Sequence, residues 1–426
     1  MEFRDFVKKL DETGALIKIE KEVSTKYEIS TLMRMLPDKP LLFEHVKGHP
    51  MSVMANVCST REFIATGLGI KKEEIMHTLA HAIDNPQEPV LVESTDYTEI
   101  ENDLSKLPIL TYYPQDGGPY VASAVVIARD KELGINASYH RMMVIDRDKV
   151  VLRILPRNFD EFIKRGLKKF AICIGAPVQV LVAGAISVGL GKSELNIANA
   201  IEKTDLIELN GFRVPKSEIV MIASFTGEMK DEGPFVDLTE TKDIVRKQRV
   251  ARIEKIFVRK NPVFHALLPG GLEHKELMGM PKEPTIFKEV NQVCDCKDVY
   301  ITPGGCSWLH GVVSIKKKSD DDGKKAIEAA FKGHKSMKHV FIVDEDIDVH
   351  NPAEVEWAMT TRFQGDRGLV VKTRQIGSSL DPSANPETRE TTKIGFDLTI
   401  PLNRDRESFK KIELPMKLDP EDYLEN

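Results

Sequence analysis

The sequence predicts a three-part protein of mixed class, α/β and β. An N-terminal α/β unit is expected over 1–100, a β-rich central domain of barrel or sandwich type over 101–290, and a C-terminal α/β domain with a tail over 291–426. Three observations carry this expectation. A chain of 426 residues is too long for one ordinary hydrophobic core. Its middle is a succession of apolar, β-branched runs separated by turn residues, with few helical patterns between them. Beyond residue 298, strand-like and helix-like segments alternate, the pattern of an open sheet covered by helices.

The elements follow in order. Phe3, Phe6, Val7 and Leu10 recur at helical spacing over 2–13, Gly14 closes that helix, and ALIKIEKEV alternates as a strand. Helices fit 26–35, 60–68 and 72–84, with strands near 40–45 and 90–94. NDLSKLPILTYYPQDGGPY is a linker running into a Gly-Gly-Pro turn. VASAVVIARD, NASYHRMMVID and KVVLRILP then read as successive strands, and FDEFIKRGLKK as an intervening helix. AICIGA, VQVLVAGAI, SEIVMIASFTG and RVARIEKIFVRK complete the β-rich run. In the last third, DVYITP, GVVSIKK and HVFIVDED are strands, and DGKKAIEAAFKG and PAEVEWAMTTR are helices. The stretch 373–426, rich in Pro, Ser and charge, is expected to wrap a neighbouring surface and to end in a short helix.

Composition narrows the function classes. With 41% hydrophobic and 30% charged residues the chain is globular, and a net charge of −6 offers no broad basic surface to nucleic acid. No apolar run reaches the ~18 residues of a membrane span. The charged, amphipathic start MEFRDFVKKLDETG lacks the apolar core of a secretory signal. Five cysteines, an odd number in a long chain, do not form a disulfide framework, so a reducing cytoplasm is expected.

Several segments carry candidate chemistry. GEMKDEGPFVDLTE places Glu232 and Asp237 five residues apart, a spacing that neither a strand nor a helix brings onto one face. Only the bend at Gly233-Pro234 could make them converge, and two close carboxylates would push their pKa values apart and suit acid–base work. The alternative is a surface turn with solvated acids. NASYHR aligns Asn136, Tyr139, His140 and Arg141, with Arg141 the natural planar partner of a carboxylate, or it is the polar face of an ordinary strand. GLGKS fails as a phosphate loop because Ile186 stands where the first glycine is required; Ser193 and Glu194 could still meet a phosphate–metal unit. Cys294, Cys296, Cys306 and His310 could be a zinc set or ordinary half-buried thiols. The acids of DEDID, 344–348, could hold magnesium for phosphoryl transfer, or cap a helix and tie loops.

Together, FRDFVKKLDETGALIKIEKEV, LPILTYYPQDGGPYV, NASYHRMMVID, SELNIANAIEKTDLIELNGFRVPKSEIV, EGPFVD and HVFIVDEDIDVHNPAEVEWAMTTR resemble, in order and along nearly the whole chain, the UbiD-type decarboxylases. These use prenylated FMN. The resemblance implies that the central domain is a flavin-reductase-like split β-barrel and that the C-terminal domain closes over the cofactor. It places Arg141, Glu232 and Asp237 on the family's catalytic set, and Asn136 and Glu194 on the ligands of a divalent metal, manganese or magnesium, that clamps the cofactor phosphate. A potassium ion is a further candidate. Tyr139, His140, Arg157, Asn158, Ser193 and Lys316 fall beside the expected cofactor. One departure stands out: LPRNF, with Arg157 and Asn158, occupies the place of the family's metal-binding histidine.

The activity implied is non-oxidative decarboxylation of an α,β-unsaturated acid, with Asp237 as proton donor, Arg141 orienting the substrate carboxylate and Glu232 tuning both. The compact length, NASYHRMM and LPRNF resemble an archaeal branch acting on trans-anhydromevalonate 5-phosphate to give isopentenyl phosphate, with Arg157, His140 and His274 as candidates for its phosphate. Alternatives are an aromatic-acid decarboxylase, a magnesium-dependent phosphoryl-transfer enzyme and a non-catalytic flavin-binding module. The expected partners are a small-molecule substrate, a flavin prenyltransferase supplying the cofactor, and further copies of the chain in a homo-oligomer.

Overall fold

The computed structural model describes residues 1–94, 96–412, 415, 416 and 423. Its centre is a nine-stranded, wholly antiparallel sheet built on two long strands, Ile219–Glu232 and Arg246–Arg259. Strict alternation divides the apolar side chains of the first: Ile219, Met221 and Ala223 enter one core, and Val220 and Ile222 the other. Lys149–Leu152, Met142–Asp146 and Tyr120–Val121 extend the sheet on one side; Lys169–Ile174, Val125–Asp130 and Gly134–Tyr139 extend it on the other. The helix Asn158–Lys164 plugs one face with Phe159 and Phe162.

The expected β segment VQVLVAGAI is instead a helix, Val178–Ala183, with every residue buried. A short, uniformly apolar run has no periodicity to distinguish a core strand from a helix packed on all sides. The helices Phe3–Glu12, Arg61–Leu68 and Ile75–Asp84 form within the expected ranges 2–13, 60–68 and 72–84.

The units interleave along the chain. Val263–Ala266 pairs in parallel with Ser52–Ala55 of the N-terminal sheet, Val90–Leu91 pairs with Asp205–Leu209, and Tyr97–Ile100 pairs with Arg246–Arg259. The C-terminal sheet has the order Asp295–Ile301, His310–Lys316, His339–Asp344, Glu390–Asp397, Leu369–Ile376, parallel in the middle and antiparallel at both edges. The tail was expected to wrap a surface, but Glu390–Asp397 inserts beside His339–Asp344 as an inner strand. Its polar composition, ETTKIGFD, hides the pattern. Arg406–Phe409 is a single 3₁₀ turn, and the expected terminal helix lies outside the described residues. No helix among the described residues is long and apolar enough to cross a membrane.

A buried ion cluster joins the N-terminal unit to the C-terminal domain. Arg61 Nη2 donates to Glu283 Oε1 at 2.6 Å, Glu283 Oε1 also accepts from the Ile301 N–H at 2.9 Å, and the guanidinium lies 4.8 Å over the Tyr300 ring. Glu276 is left 3.6 Å from Arg61 Nε. Burial pushes the Glu276 carboxyl up to about 7, with Arg61 only partly offsetting it. Because the folded value lies above the unfolded one, the group's stabilising contribution is complete below about 4.5 and is lost as pH rises through about 7. Glu276→Gln should therefore flatten the dependence of Tm on pH between those limits; an unchanged slope would exclude Glu276 as its source.

Candidate active site

Asn136, Ser138 and His140 alternate onto one face of the strand Gly134–Tyr139 and its extension. His140 Nδ1 lies 3.1 Å from the Arg153 carbonyl, which can only accept, so Nδ1 carries the proton. His140 Nε2, 3.0 Å from Ser138 Oγ, is then the acceptor of the Ser138 hydroxyl proton. Burial pushes the imidazole down to about 4, which keeps it neutral. With its proton given to His140, Ser138 has none for Asn136 Oδ1, 3.1 Å away. The Asn136 amide meanwhile donates through Nδ2 to both oxygens of Glu194, at 3.0 and 3.1 Å, and the Ala137 N–H donates to Glu194 Oε2 at 2.8 Å. The amide oxygen of Asn136 and the carboxylate of Glu194, both buried, thus keep lone pairs to spare.

Glu194 opens the helix Glu194–Ile201, and the preceding Ser193 Oγ is buried with no hydrogen-bond partner among the described residues. Tyr139 Oη is unpartnered in the same way. Burial pushes the Glu194 carboxyl up to about 7. Lys282 stands near it with Nζ bonded to the Ala185 carbonyl at 2.6 Å and Ser187 Oγ at 2.9 Å, and burial pushes that ammonium down to about 7. Asn158 uses its Nδ2 on the Val188 carbonyl at 3.1 Å, which leaves its oxygen uncommitted, while Arg157 is exposed.

The second half of the site is built at the end of the long strand. Gly233 has φ +101, a left-handed conformation that a side chain disfavours, and Pro234 follows it. A Cβ on Gly117 would lie 2.3 Å from the Gly233 carbonyl oxygen, so the Gly-Gly-Pro turn can approach only as glycine. Beyond the bend, Phe235–Val236 pairs antiparallel with Lys242–Asp243 in a small hairpin, Phe235 opposite Asp243.

Glu232, Asp237 and Asp243 all converge on Arg141. Its Nε and Nη2 form a fork with Glu232 Oε1 and Oε2 at 2.9 and 3.0 Å. Nη1 reaches Asp237 Oδ2 at 2.6 Å, and Nη2 also reaches Asp243 Oδ2 at 2.9 Å. The guanidinium lies 4.3 Å over the Phe235 ring, and Tyr120 donates its hydroxyl to Glu232 Oε1 at 3.1 Å. Burial works against the charge on Asp243, yet Arg141 and Arg246 hold its carboxyl below the usual range; Arg246 Nη1 sits 2.7 Å from its second oxygen. His274 lies close by. Its Nδ1 accepts the Gly270 N–H at 3.0 Å, and Gly270 itself packs on the Asp237 carbonyl.

The sequence-based set therefore gathers at two ends of one strand: Asn136, Ser193 and Glu194 at one, Arg141, Glu232 and Asp237 at the other, while Asn158 is held on the Val188 carbonyl. His140 stands behind the first, holding Ser138. Lys316 does not join either; it is exposed, 3.9 Å from Glu345, and Lys282 is the lysine that faces Glu194. Asp243, Arg246, Tyr120, Phe235 and Lys282 went unread. The i,i+3 spacing of Asp243 and Arg246 is the local signal that could have paired them.

The rival motifs take structural roles. Asp344 and Asp346 of DEDID are bound by Arg362 at 3.1 and 2.7 Å and by Arg406, so the acids tie the end of the sheet to the tail instead of waiting for a cation. No group of three or more His, Cys, Asp or Glu residues is placed to hold a metal ion among the described residues, so Cys294, Cys296, Cys306 and His310 do not form a zinc site.

Comparison with known proteins extends along nearly the whole chain. Residues 7–83, 82–272 and 275–398 match the N-terminal, Rift-related and C-terminal domains of the 3-octaprenyl-4-hydroxybenzoate carboxy-lyase (UbiD) family. The anhydromevalonate phosphate decarboxylase of Methanothermobacter thermautotrophicus is 40% identical over 96% of this chain and 99% of its own. The enzyme of the same name from Methanocaldococcus jannaschii is 40% identical over 92% and 96%. The UbiD-class enzyme HmfF from Pelotomaculum thermopropionicum, solved in complex with FMN, superposes with a TM-score of 0.95 at 34% identity, covering 99% of this chain and 100% of that one. A shared fold at this identity and coverage, together with the family's three domains in order, leaves one conclusion: the chain is a carboxy-lyase of the UbiD family.

Proposed function

We propose that this enzyme decarboxylates trans-anhydromevalonate 5-phosphate to isopentenyl phosphate with prenylated FMN as cofactor, and that Arg141, Glu232 and Asp237 are its catalytic residues. The observation that carries the reading is the fork of Arg141 among three carboxylates, joined to full-length similarity with enzymes named for that substrate. The cofactor, when bound, supplies the acceptor for the electron pair that CO₂ leaves behind. The unpartnered Ser193 Oγ, the Asn136 oxygen and Glu194 suit its phosphate and a divalent cation, because hard cations take oxygen ligands. Asn158 offers a third oxygen through its uncommitted carbonyl, in place of a histidine. Adding Mn²⁺ to the flavin-loaded enzyme should raise Tm, and Glu194→Gln should abolish that rise; an equal rise in the variant would remove Glu194 as a ligand.

At the catalytic end, Arg141 orients the substrate carboxylate until the carbon–carbon bond breaks. Asp237 then gives a proton to the vacated carbon. To act as donor, Asp237 must first take up a proton and release Arg141, and the geometry permits this. Glu232 and Asp243 together keep three N–H contacts on the guanidinium, so it holds its place when Asp237 lets go. Tyr120 and the Phe235 ring fix Glu232 and Arg141 from the sides and exclude water there. The reading also includes a flavin prenyltransferase as cofactor supplier and a homo-oligomer in the cytoplasm.

The test is to produce the enzyme together with a flavin prenyltransferase and follow CO₂ and isopentenyl phosphate from the unsaturated phospho-acid. Turnover of that acid with none from hydroxybenzoates is expected. CO₂ from aromatic acids alone would overturn the substrate, and no CO₂ from any acid would overturn the catalytic reading.

A further inference from the structure

We propose that Arg153 binds the second anionic group of the substrate, the phosphate remote from the reacting carboxylate. This rests on the substrate reading above and adds the residue that would enforce it.

Arg153 lies directly across from Arg141. The ladder pairs Leu152 with Met142, and the next pair is made by the Arg153 N–H donating to the Arg141 carbonyl at 3.1 Å. Directly opposed residues of antiparallel strands project to the same face, with Cβ atoms about 5 Å apart. Two like charges in that arrangement repel, so the pair demands anions nearby. Arg141 has its anions in Glu232, Asp237 and Asp243, and Arg246 has Asp243. The half-buried Arg153 guanidinium has no hydrogen bond or ion pair among the described residues. Burial, then the fields of Arg246 and Arg141, work against its charge, and Asp243 and Glu232 offset this only from a distance.

The backbone of Arg153 is fixed all the same. Its N–H is spent on Arg141, its carbonyl takes the His140 Nδ1 proton, and the next N–H is held by Gln248 Oε1 at 3.0 Å. What remains is a planar fork of N–H donors on a rigid strand, uncommitted and beside the catalytic arginine. That is the geometry a phosphate dianion takes.

Position separates this subsite from the cofactor's own phosphate. Asn136 and Arg141 are five residues apart on an extended segment, roughly 16 Å at about 3.3 Å per residue. The metal-type ligands Asn136 and Glu194, with Lys282, serve the far end. Arg153 serves the near end, where the substrate carboxylate must lie. A substrate with a carboxylate and a phosphate thus meets two arginines on one face of adjacent strands.

Arg153→Gln, prepared as flavin-loaded enzyme, tests this. KM for the phospho-acid should rise on the order of 10- to 100-fold, the range for losing hydrogen bonds to a charged group, with kcat within a few-fold. Flavin content and Tm should match wild type. Calorimetry should show that wild type binds isopentenyl phosphate more tightly than 3-methylbut-3-en-1-ol and that the variant loses this preference. Arg157→Gln, at the cofactor end, should lower flavin content and leave the preference for isopentenyl phosphate intact. Normal KM and a retained preference in Arg153→Gln, loss of flavin in it, or a loss of the preference confined to Arg157→Gln would each overturn the assignment. Failure of wild type on the phospho-acid would instead remove the substrate reading itself, and the phosphate ligand with it.

Discussion

Asp237→Asn is expected to lower the decarboxylation rate by about 10²- to 10⁴-fold, the usual share of a general acid, while the enzyme still binds flavin. Asparagine keeps the shape of the side chain and can accept the Leu238 N–H that now bonds Asp237 Oδ1 at 2.8 Å. What it lacks is a proton to give. Asp237 also shares Arg141 with two other carboxylates, so its charge is the one the cluster can spare. Turnover under saturating substrate, measured beside the visible flavin spectrum, checks the assignment. A variant within a few-fold of wild type would make another group the donor. A variant that lost flavin would place Asp237 in binding instead.

Arg141→Met should lose activity and stability together. Glu232 is fully buried, and its carboxylate rests on the Arg141 fork and the Tyr120 hydroxyl. Removing one partner of a buried pair leaves an uncompensated charge and costs about 3–5 kcal/mol. The double variant Arg141→Met, Glu232→Gln should recover much of that stability and none of the activity, because it removes the stranded charge without restoring the carboxylate orienter. Denaturant unfolding of the three proteins measures this. A single variant as stable as wild type would show that the cluster does not depend on Arg141. Arg141→Lys should fall in between, since an ammonium cannot make the planar fork that Glu232 takes.

Part of this was legible in the chain itself. Helices with an apolar stripe, such as Phe3–Glu12 and Asp322–Gly333, form where their spacing puts them, because period 3.6 has no other use. The long strands alternate as their composition requires. NASYHR, SELNIANA and EGPFVD, in that order along the chain, single out Asn136, Arg141, Glu194, Glu232 and Asp237, and the fold brings Asn136 to Glu194 and Arg141 to both other acids.

The remainder was decided by tertiary structure. Val178–Ala183 became a helix because all its sides are packed, and Glu390–Asp397 became an inner strand because neighbours on both edges supply its hydrogen bonds. The third carboxylate on Arg141, Asp243, depends on a hairpin whose register no local pattern fixes. The identity of the buried lysine near Glu194 depends on how the turn Met280–Lys282 docks, which brought Lys282 inside, while Lys316 at the end of the strand His310–Lys316 stays at the surface. The opposition of Arg153 and Arg141 is a matter of strand register. Sequence determines which residues can do chemistry and which faces want burial, because both are properties of side chains. Which charges stand opposite one another, and which are left without a partner, depends on distances across strands that only the folded chain sets.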